Sequence, residues 1–397
     1  LCVSEVRDPN PIAAKFIEAG KQVGIPENSD FNGAVQEGVG FYQVTQKNGR
    51  RWSSARAFLG MTQGRPNLTV LTAARATRII FESKRAVGVE VHRDGQRQVL
   101  HAKNEVILCG GAVNSPHLLL LSGIGPQETL SKHGIPLVHE LPGVGQNLQD
   151  HLDMTVMVRD RSKQSIGLAL SFVPRAVMGL LRYLLGRRGF LASNVSESGG
   201  FVKLHPSSER PELQLHFLPT FLKDHGRKLV AGYGCTLHVC QLRPKSRGFI
   251  SLQSSDPLLD PLIQPNYLSH PDDAKELIEG VKLARRIFAA PAFKNINGGE
   301  TEPGAEVITD ADILANIRNR AETIYHPVGT CKMGSDAMAV VDSHLRVHGI
   351  EGLRVADASI MPTLIGGNTN APCMVIGEQV ARMALTERAK AGRLKAA

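Results

Sequence analysis

The amino-acid sequence predicts an α/β protein in which one α/β layer is interrupted by a larger β-rich insertion. The apolar run at 105–109, two glycines and a Leu-rich stretch are typical of a strand covered on both faces and the helix after it. Residues 151–270 contain many short strand-like segments, and the amphipathic pattern of 271–290 predicts a helix. We therefore expect two domains that are interleaved along the chain.

The other elements follow from local patterns. Alternating apolar and polar residues in 67–100, with the turn Asp94-Gly95, predict a strand meander. In the helix after the apolar strand, Ser115 is predicted as the N-cap and Pro116 as the first helical residue. Further helices are predicted at 11–24, at 309–321 with Thr309 as the cap, and from Ala371 to about Arg388.

Composition excludes several classes of protein. With 397 residues, 42% apolar and 21% charged, the chain fits a globular protein of about two domains, not a disordered or fibrous one. No apolar run approaches the roughly 18 residues of a spanning helix, and no signal-peptide pattern opens the sequence. Because the chain begins LCV, without a methionine, we expect a fragment or a processed piece of a longer protein.

The cysteine pattern and the net charge limit the kinds of ligand, partner and cellular location that we expect. The six cysteines are scattered without a CxxC pair, which argues against a disulfide framework or a metal site and predicts a cytoplasmic location. The net charge of +9 suits nucleic acid, acidic substrates or an anionic membrane. However, the basic residues are dispersed and aromatic residues make up only 5%, so no nucleic-acid binding is expected.

Residue types suited to catalysis or binding are concentrated near the C-terminal end of the chain. His326 precedes a proline and a glycine turn in IYHPVGTCKMG, and Asn370 lies in the loop GGNTNAP before a predicted helix. Loops between a strand and a helix are where binding groups concentrate. Taken singly, His326 can also be interpreted as a structural loop residue, and Asn370 as a helix cap.

These segments carry a family resemblance. HPVGTCKMG, VDSHLRVHGIEGLRVADASIMP and GGNTNAP closely resemble the C-terminal motifs of the glucose-methanol-choline (GMC) oxidoreductases. GAVNSPHLLLLSGIG at 111–125 is similar to the second signature of that family, and VGQNLQDHL at 144–152 is also family-like. The resemblance covers essentially the whole chain and is strongest to the acceptor-linked aliphatic alcohol dehydrogenases of the family.

The resemblance implies an incomplete Rossmann-like FAD-binding domain interleaved with a β-rich substrate-binding domain. It assigns 1–150 to the remainder of the FAD-binding region, 151–325 mainly to the substrate-binding domain, and 326–397 to the active-site and FAD-binding return segment. The strand and GxGxxG turn that open such proteins do not occur in this sequence. We therefore expect about a third of the protein to be missing, and an apolar sheet edge to be exposed.

The resemblance also implies which residues act on the substrate. His326 matches the histidine that accepts the alcohol proton, and Asn370 matches the residue that hydrogen-bonds the alcohol oxygen. The chemistry agrees, because an imidazole with a near-neutral pKa can take the hydroxyl proton as hydride leaves the carbon. An asparagine cannot titrate, so it can orient the oxygen at any pH.

FAD is the implied cofactor, and no metal is expected. Ala76 matches the position whose backbone meets the adenine, while Asp357 and Ala358 match residues along the pyrophosphate and ribitol. The residues that run beside the isoalloxazine are Asn370, Ala371 and Pro372.

The predicted function is FAD-dependent oxidation of a primary, medium-chain aliphatic alcohol to the aldehyde, with electrons passed to a quinone or another acceptor. A choline dehydrogenase is the rival prediction, although one Trp and five Tyr supply an aromatic cage poorly. An FAD-containing hydroxynitrile lyase and a catalytically incompetent fragment also fit the sequence. A serine hydrolase ranks last because GxSxG is absent.

The stretch VPRAVMGLLRYLLGRRGFL at 173–191 is Leu-rich with four arginines, and it has two interpretations. It can be a domain helix that covers the substrate pocket. Alternatively, it can lie on an anionic membrane surface, as a peripheral contact with the inner membrane.

Overall fold

The computed structural model describes the backbone of residues 1–396 and the side chains of residues 1–389. Contacts divide the chain into two compact units, each assembled from separate stretches. Unit 1 comprises Leu1–Leu68, His151–Arg243 and His270–Ile324, and unit 2 comprises Thr69–Asp150, Pro244–Ser269 and Tyr325–Ala397. The predicted mixed α/β class with interleaved stretches is confirmed. The functional roles assigned to 1–150, 151–325 and 326–397 stay a prediction, and the two units have other boundaries.

The helices are α1 (Pro11–Gln22), α2 (Ser54–Ala57), α3 (Gly111–Leu121), α4 (Gln127–Lys132), α5 (Val173–Gly186), α6 (Pro271–Ala289), α7 (Asp310–Arg320) and α8 (Asn370–Ala396). The strands are β1 (Gly38–Phe41), β2 (Gln46–Lys47), β3 (Arg50–Arg51), β4 (Arg75–Glu82), β5 (Arg85–Arg93), β6 (Gln96–His101), β7 (Val106–Leu108), β8 (Ile124–Gly125), β9 (His139–Glu140), β10 (Leu152–Asp160), β11 (Ser198–Val202), β12 (Leu213–Leu218), β13 (Gly234–Gln241), β14 (Phe249–Ser251), β15 (Leu262–Gln264), β16 (Asn297–Glu302), β17 (Glu322–Thr323) and β18 (Leu353–Val355).

Unit 1 is built on an antiparallel sheet. The strand order is β1-β11-β12-β13-β10-β16, and β17 pairs with one end of β10. The helices α1 and α6 pack on this sheet. Phe16 of α1 stacks on Phe217 of β12 with ring centroids 4.9 Å apart, and Phe288 and Phe293 pack around the same ring. This aromatic cluster buries a large apolar area and anchors the two helices to the sheet.

Unit 2 contains the antiparallel meander β4-β5-β6 and the parallel pair β7–β18, with α3 directly after β7. The meander and the strand–helix pair predicted from the sequence are confirmed. One expectation for β7 is wrong: Val106 and Leu108 are buried, whereas Ile107 between them is 37% exposed. The strand is therefore covered on one face only, because its core neighbours lie on the side of Val106 and Leu108.

The predicted start of α3 is also wrong. The helix begins at Gly111, so Ser115 and Pro116 lie inside it. Gly111 N–H donates to Asp357 Oδ2 at 2.9 Å, and this carboxylate takes the place of a local N-cap side chain. Pro116 lacks an N–H, and the carbonyl of Ala112 that it leaves without a helical donor accepts the Thr330 hydroxyl at 2.6 Å.

The other predicted helices are confirmed, although α8 continues to Ala396, beyond its predicted end near Arg388. Helix α1 begins at Pro11 after the N-cap Asn10, and α6 begins at Pro271. Helix α7 has a capping box formed by Thr309 and Asp312, which satisfies two donors at the start of the helix. Within the described residues, no helix has both the length and the apolar character needed to cross a bilayer.

Candidate active site

His326 lies in a loop of unit 2 and is fastened through its backbone. Its N–H donates to Asp150 Oδ1 at 2.9 Å, and the hydroxyl of Tyr267 donates to Asp150 Oδ2 at 2.5 Å. The preceding residue, Tyr325, has a φ of +64°, which few non-glycine residues adopt. Such strain persists only where the surroundings fix the backbone. The imidazole is thus carried on a loop whose position is fixed by its surroundings.

The His326 side chain is buried, with 8% of the residue exposed, and a side-chain contact orients it. The amide Nδ2 of Asn368 lies 3.2 Å from His326 Nε2. In this orientation the amide N–H donates, so Nε2 acts as an acceptor and carries no proton. Burial lowers the pKa of His326 to about 4. The imidazole is therefore neutral at physiological pH and offers a lone pair at Nε2.

Asn368 was not among the residues predicted for the site. Asn370 is exposed and is the first residue of α8, two positions beyond Asn368. Both asparagines stand in GGNTNAP, and the spacing of residues in a loop does not distinguish which of them reaches the imidazole. The pairing of His326 with Asn370 around one alcohol oxygen stays a prediction.

The segment Asn147–Asp150 fastens two loops of the site, a role that was not predicted from the sequence. The backbone of Gln149 exchanges two hydrogen bonds with that of Val328, at 3.1 and 2.8 Å. The side chain of Gln149 accepts from Leu364 N and donates to the carbonyl of Pro362. One segment therefore holds both the loop that carries His326 and the loop that leads to Asn368. In the sequence this segment was marked only by the family-like motif VGQNLQDHL, which did not indicate that the segment holds the two loops.

Asp357 is buried just after β18, and its carboxylate accepts three hydrogen bonds within the protein. Oδ2 accepts from Gly111 N and from the Ser115 hydroxyl, at 2.9 and 2.5 Å, while Oδ1 accepts from Ser359 N at 2.8 Å. Next to it, the carbonyl of Ala358 accepts from Gly329 N. Asp357 therefore fixes the start of α3 against the end of β18.

The residues around Asp357 fit a dinucleotide cofactor by their donor chemistry. Helix α3 begins directly after β7, at the carboxyl ends of the parallel strands β7 and β18, where ligands bind in open α/β sheets. Cys373, in the first turn of α8, packs against the cluster that contains Ala358, just after β18. The first N–H groups of a helix favour a pyrophosphate. Asn370 and Ala371 in the first turn of α8 are exposed, and Ala76 is exposed on β4, an edge strand of the meander. These positions can present backbone groups to a bound flavin dinucleotide.

No group of three or more His, Cys, Asp or Glu side chains suited to a metal occurs among the residues that the structure describes. The six cysteines are free. The polar groups that the structure brings together here are a buried imidazole, the amide of Asn368 and the N-terminus of α3.

Comparison with known proteins identifies the family. The GMC oxidoreductase family models match residues 1–153 and 244–377. The chain belongs to the GMC oxidoreductase family. The predictions of the family, of FAD as the cofactor and of an oxidoreductase are thereby confirmed.

Individual relatives agree with this assignment. An alcohol dehydrogenase [acceptor] from Pseudomonas putida is 56% identical over 385 residues, which cover 96% of this chain and 70% of the relative. An oxygen-dependent choline dehydrogenase from Cronobacter sakazakii is 45% identical, covering 94% and 67%. Among solved structures, formate oxidase from Aspergillus oryzae has a TM-score of 0.91 at 26% identity, covering 98% of this chain and 73% of that one. Pyridoxine 4-oxidase from Mesorbium loti has a TM-score of 0.83 at 28% identity, covering 96% and 71%.

Proposed function

We propose that this protein oxidises a primary alcohol to the aldehyde with FAD, and that His326 accepts the hydroxyl proton. The observation that carries the proposal is the buried His326, whose Nε2 is unprotonated and hydrogen-bonded by Asn368. A general base needs its lone pair available at the working pH and a fixed position. The contacts through Asp150 and Asn368 provide the position.

The roles that we propose for the chain's residues combine this geometry with the roles that the family resemblance implies. The alcohol hydroxyl replaces the Asn368 amide at His326 Nε2 and gives its proton to that atom. Asn370 hydrogen-bonds the alcohol oxygen and keeps it oriented, since an amide does not titrate. When bound, FAD supplies the acceptor for the hydride that leaves the carbinol carbon.

The proposed cofactor contacts are those expected from the resemblance. Ala76 meets the adenine through its backbone, and Asp357 and Ala358 lie along the pyrophosphate and ribitol. Because the Asp357 carboxylate is used within the protein, we propose that it acts by fixing the N-terminus of α3. The residues proposed beside the isoalloxazine are Asn370, Ala371 and Pro372.

For the substrate we propose an uncharged, medium-chain primary alcohol, with electrons passed to a quinone-type acceptor. Support comes from the higher identity to the acceptor-linked alcohol dehydrogenase than to the choline dehydrogenase. The single Trp also argues against a choline cage, because the ring of Trp52 is covered by the Lys47 ammonium at 4.8 Å. Choline remains the second candidate because of the 45% identity.

The test is anaerobic mixing of the FAD-loaded protein with octanol, choline or a cyanohydrin. We expect octanol to bleach the flavin absorbance, because hydride transfer leaves the flavin reduced. Bleaching by choline alone would favour the second candidate. Release of cyanide from the cyanohydrin without bleaching would identify a lyase, and no reaction with any of the three would identify an incompetent protein.

We further propose that α5 rests on an anionic membrane surface. Seven apolar residues of this helix are exposed, and Leu184 and Leu185 are 68% and 88% exposed. Its only fully buried residue is Gly179, where a Cβ would meet the ring of Phe190. Arginines within and directly after the helix supply the positive charge that anionic lipids attract. An apolar face beside basic residues suits the boundary between headgroups and acyl chains.

We expect the wild-type protein to sediment with phosphatidylglycerol vesicles, and added salt to weaken this binding. We expect the double substitution L184S/L185S to abolish it. The reason is that burying both side chains in the acyl region supplies much of the binding energy. The control is Ile308→Ser, since Ile308 is a large apolar residue outside α5 that is 72% exposed. If the wild-type protein stays in the supernatant, or the double variant sediments like it, the helix does not bind membranes.

A further inference from the structure

The loop that carries His326 is a bulge between two backbone hydrogen bonds. Ile324 N–H donates to the carbonyl of His151 at 3.2 Å, and Val328 N–H donates to the carbonyl of Gln149 at 2.8 Å. Positions 324 and 328 are four apart, whereas 149 and 151 are two apart, so the segment with His326 contains two additional residues. Bulges are common next to active sites, where they redirect a side chain.

The Asp150 carboxylate holds the backbone of His326 within this bulge. A bulged residue lies outside the regular pairing of the two segments, and a buried N–H without an acceptor destabilises the fold. Oδ1 of Asp150 accepts from His326 N–H at 2.9 Å, and Asp150 is only 8% exposed. Asp150 therefore fixes the backbone of His326, whereas Asn368 contacts its ring.

Tyr267 in turn holds the Asp150 carboxylate, because its hydroxyl donates to Oδ2 at 2.5 Å. The next residue, Leu268, has a φ of +59°, in the left-handed region that few non-glycine residues adopt. On the other side, Asn266 has a φ of +53°, and its Nδ2 donates to the carbonyl of Arg247. Such strain persists only where the surroundings fix the backbone. The loop that presents Tyr267 is therefore held in place as well.

These contacts join the three separate stretches of unit 2. Asp150 ends the first stretch, Tyr267 lies near the end of the second, and His326 is the second residue of the third. The Asp150 contact is made to the backbone of residue 326. It is therefore kept when, as proposed above, the alcohol takes the place of the Asn368 amide at Nε2 of the ring.

We propose that Asp150 and Tyr267 are positioning residues, which set His326 at the distance and angle needed to take the alcohol proton. They act through His326 and do not touch the substrate themselves. The inference rests on the proposed oxidation of an alcohol at His326. Positioning of this kind affects the rate strongly, since a displacement of about 1 Å can slow a reaction by about 100-fold.

The test is anaerobic reduction of bound FAD by a primary alcohol. We expect Asp150→Ala, which removes both contacts, to slow this step by about 10- to 100-fold, while the dissociation constant of the alcohol changes only a few-fold. Asp150→Asn should recover most of the rate, because an amide can accept from the backbone and donate to the Tyr267 oxygen. The matched control is Asp260→Ala, which removes a carboxylate that is 93% exposed and should leave the rate unchanged.

A second comparison separates positioning from a general loss of structure. In His326→Gln there is no base to position, so adding Asp150→Ala should cause little further slowing. If Asp150→Ala does not fold, Tyr267→Phe provides the same comparison, because it keeps the ring and removes the hydroxyl. We expect Tyr267→Phe to slow the reduction less than Asp150→Ala, and this effect also to disappear when His326 is glutamine.

Hydrogen exchange of the backbone amides at 324–328 provides a readout without turnover. Exchange should be faster in Asp150→Ala than in the wild-type protein and in Asp260→Ala, because the contact that holds the bulge is lost. Unchanged exchange would overturn the inference. So would wild-type rates in folded Asp150→Ala and Tyr267→Phe, an Asp150→Asn as slow as Asp150→Ala, or equal slowing by Asp150→Ala with and without His326. A wild-type rate in His326→Gln alone would instead contradict the proposed function, and the inference with it.

Discussion

Replacing His326 with glutamine is expected to slow alcohol oxidation by about 10²–10⁴-fold, the usual contribution of a positioned general base. Glutamine preserves a polar side chain of similar length that can still meet Asn368, but it cannot accept a proton. The backbone bond from residue 326 to Asp150 is retained, so the loop should keep its place. The measurement is steady-state turnover of a primary alcohol with an artificial electron acceptor.

The control for this prediction is His101→Gln, the same substitution at an exposed position at the end of β6. Its turnover should equal that of the wild-type protein. Both variants should retain FAD and the wild-type melting temperature. If His326→Gln turns over at the wild-type rate, another group accepts the proton.

The second expected result concerns pH. Burial lowers the pKa of His326 to about 4, so the base stays unprotonated well below the usual histidine range. At pH 5 about nine-tenths of the imidazole would be in the active form, compared with about 3% for a histidine with the ordinary pKa near 6.5. The acid limb of kcat/KM should therefore have its midpoint close to pH 4, since this limb reports the free enzyme.

The lowered pKa of His326 also makes the stability of the folded protein depend on pH. Between about pH 6.5 and 4 the unfolded chain takes up a proton at His326 and the folded chain does not, so stability falls as the pH falls. Circular dichroism across this range must show that the protein remains folded where activity is measured. An acid limb with a midpoint near pH 6.5 in folded protein would show that the catalytic base is exposed to solvent or is a different group.

The sequence predicted those parts of the fold that depend on local patterns. Two helix starts depend only on residues within one helical turn. These are the start of α7, with its capping box of Thr309 and Asp312, and the start of α6 at Pro271. The start of α3 could not be predicted in this way. It is set by Asp357, which lies 246 positions from Gly111 along the chain. Local capping rules favoured Ser115, and a distant carboxylate overrode them.

In the candidate site, too, some features could be predicted from local sequence and others depend on residues that are distant along the chain. The motif around His326 indicated a reactive histidine, and the structure places that side chain in a buried position. Which asparagine meets its ring depends on the path of a loop with two adjacent glycines, which residue spacing does not determine. The support from Asp150 and Tyr267, residues far apart in sequence, appears only once the chain is folded.

The proposed role of His326, which takes the alcohol proton as the flavin is reduced, is the step on which the rest of the mechanism depends. The most direct measurement is the rate at which a primary alcohol reduces bound FAD without oxygen, in wild-type protein and in His326→Gln under the same conditions. We expect the reduction step to slow by at least about 100-fold in the variant while the dissociation constant of the alcohol changes only a few-fold. Equal rates of flavin reduction in the two proteins would contradict this role.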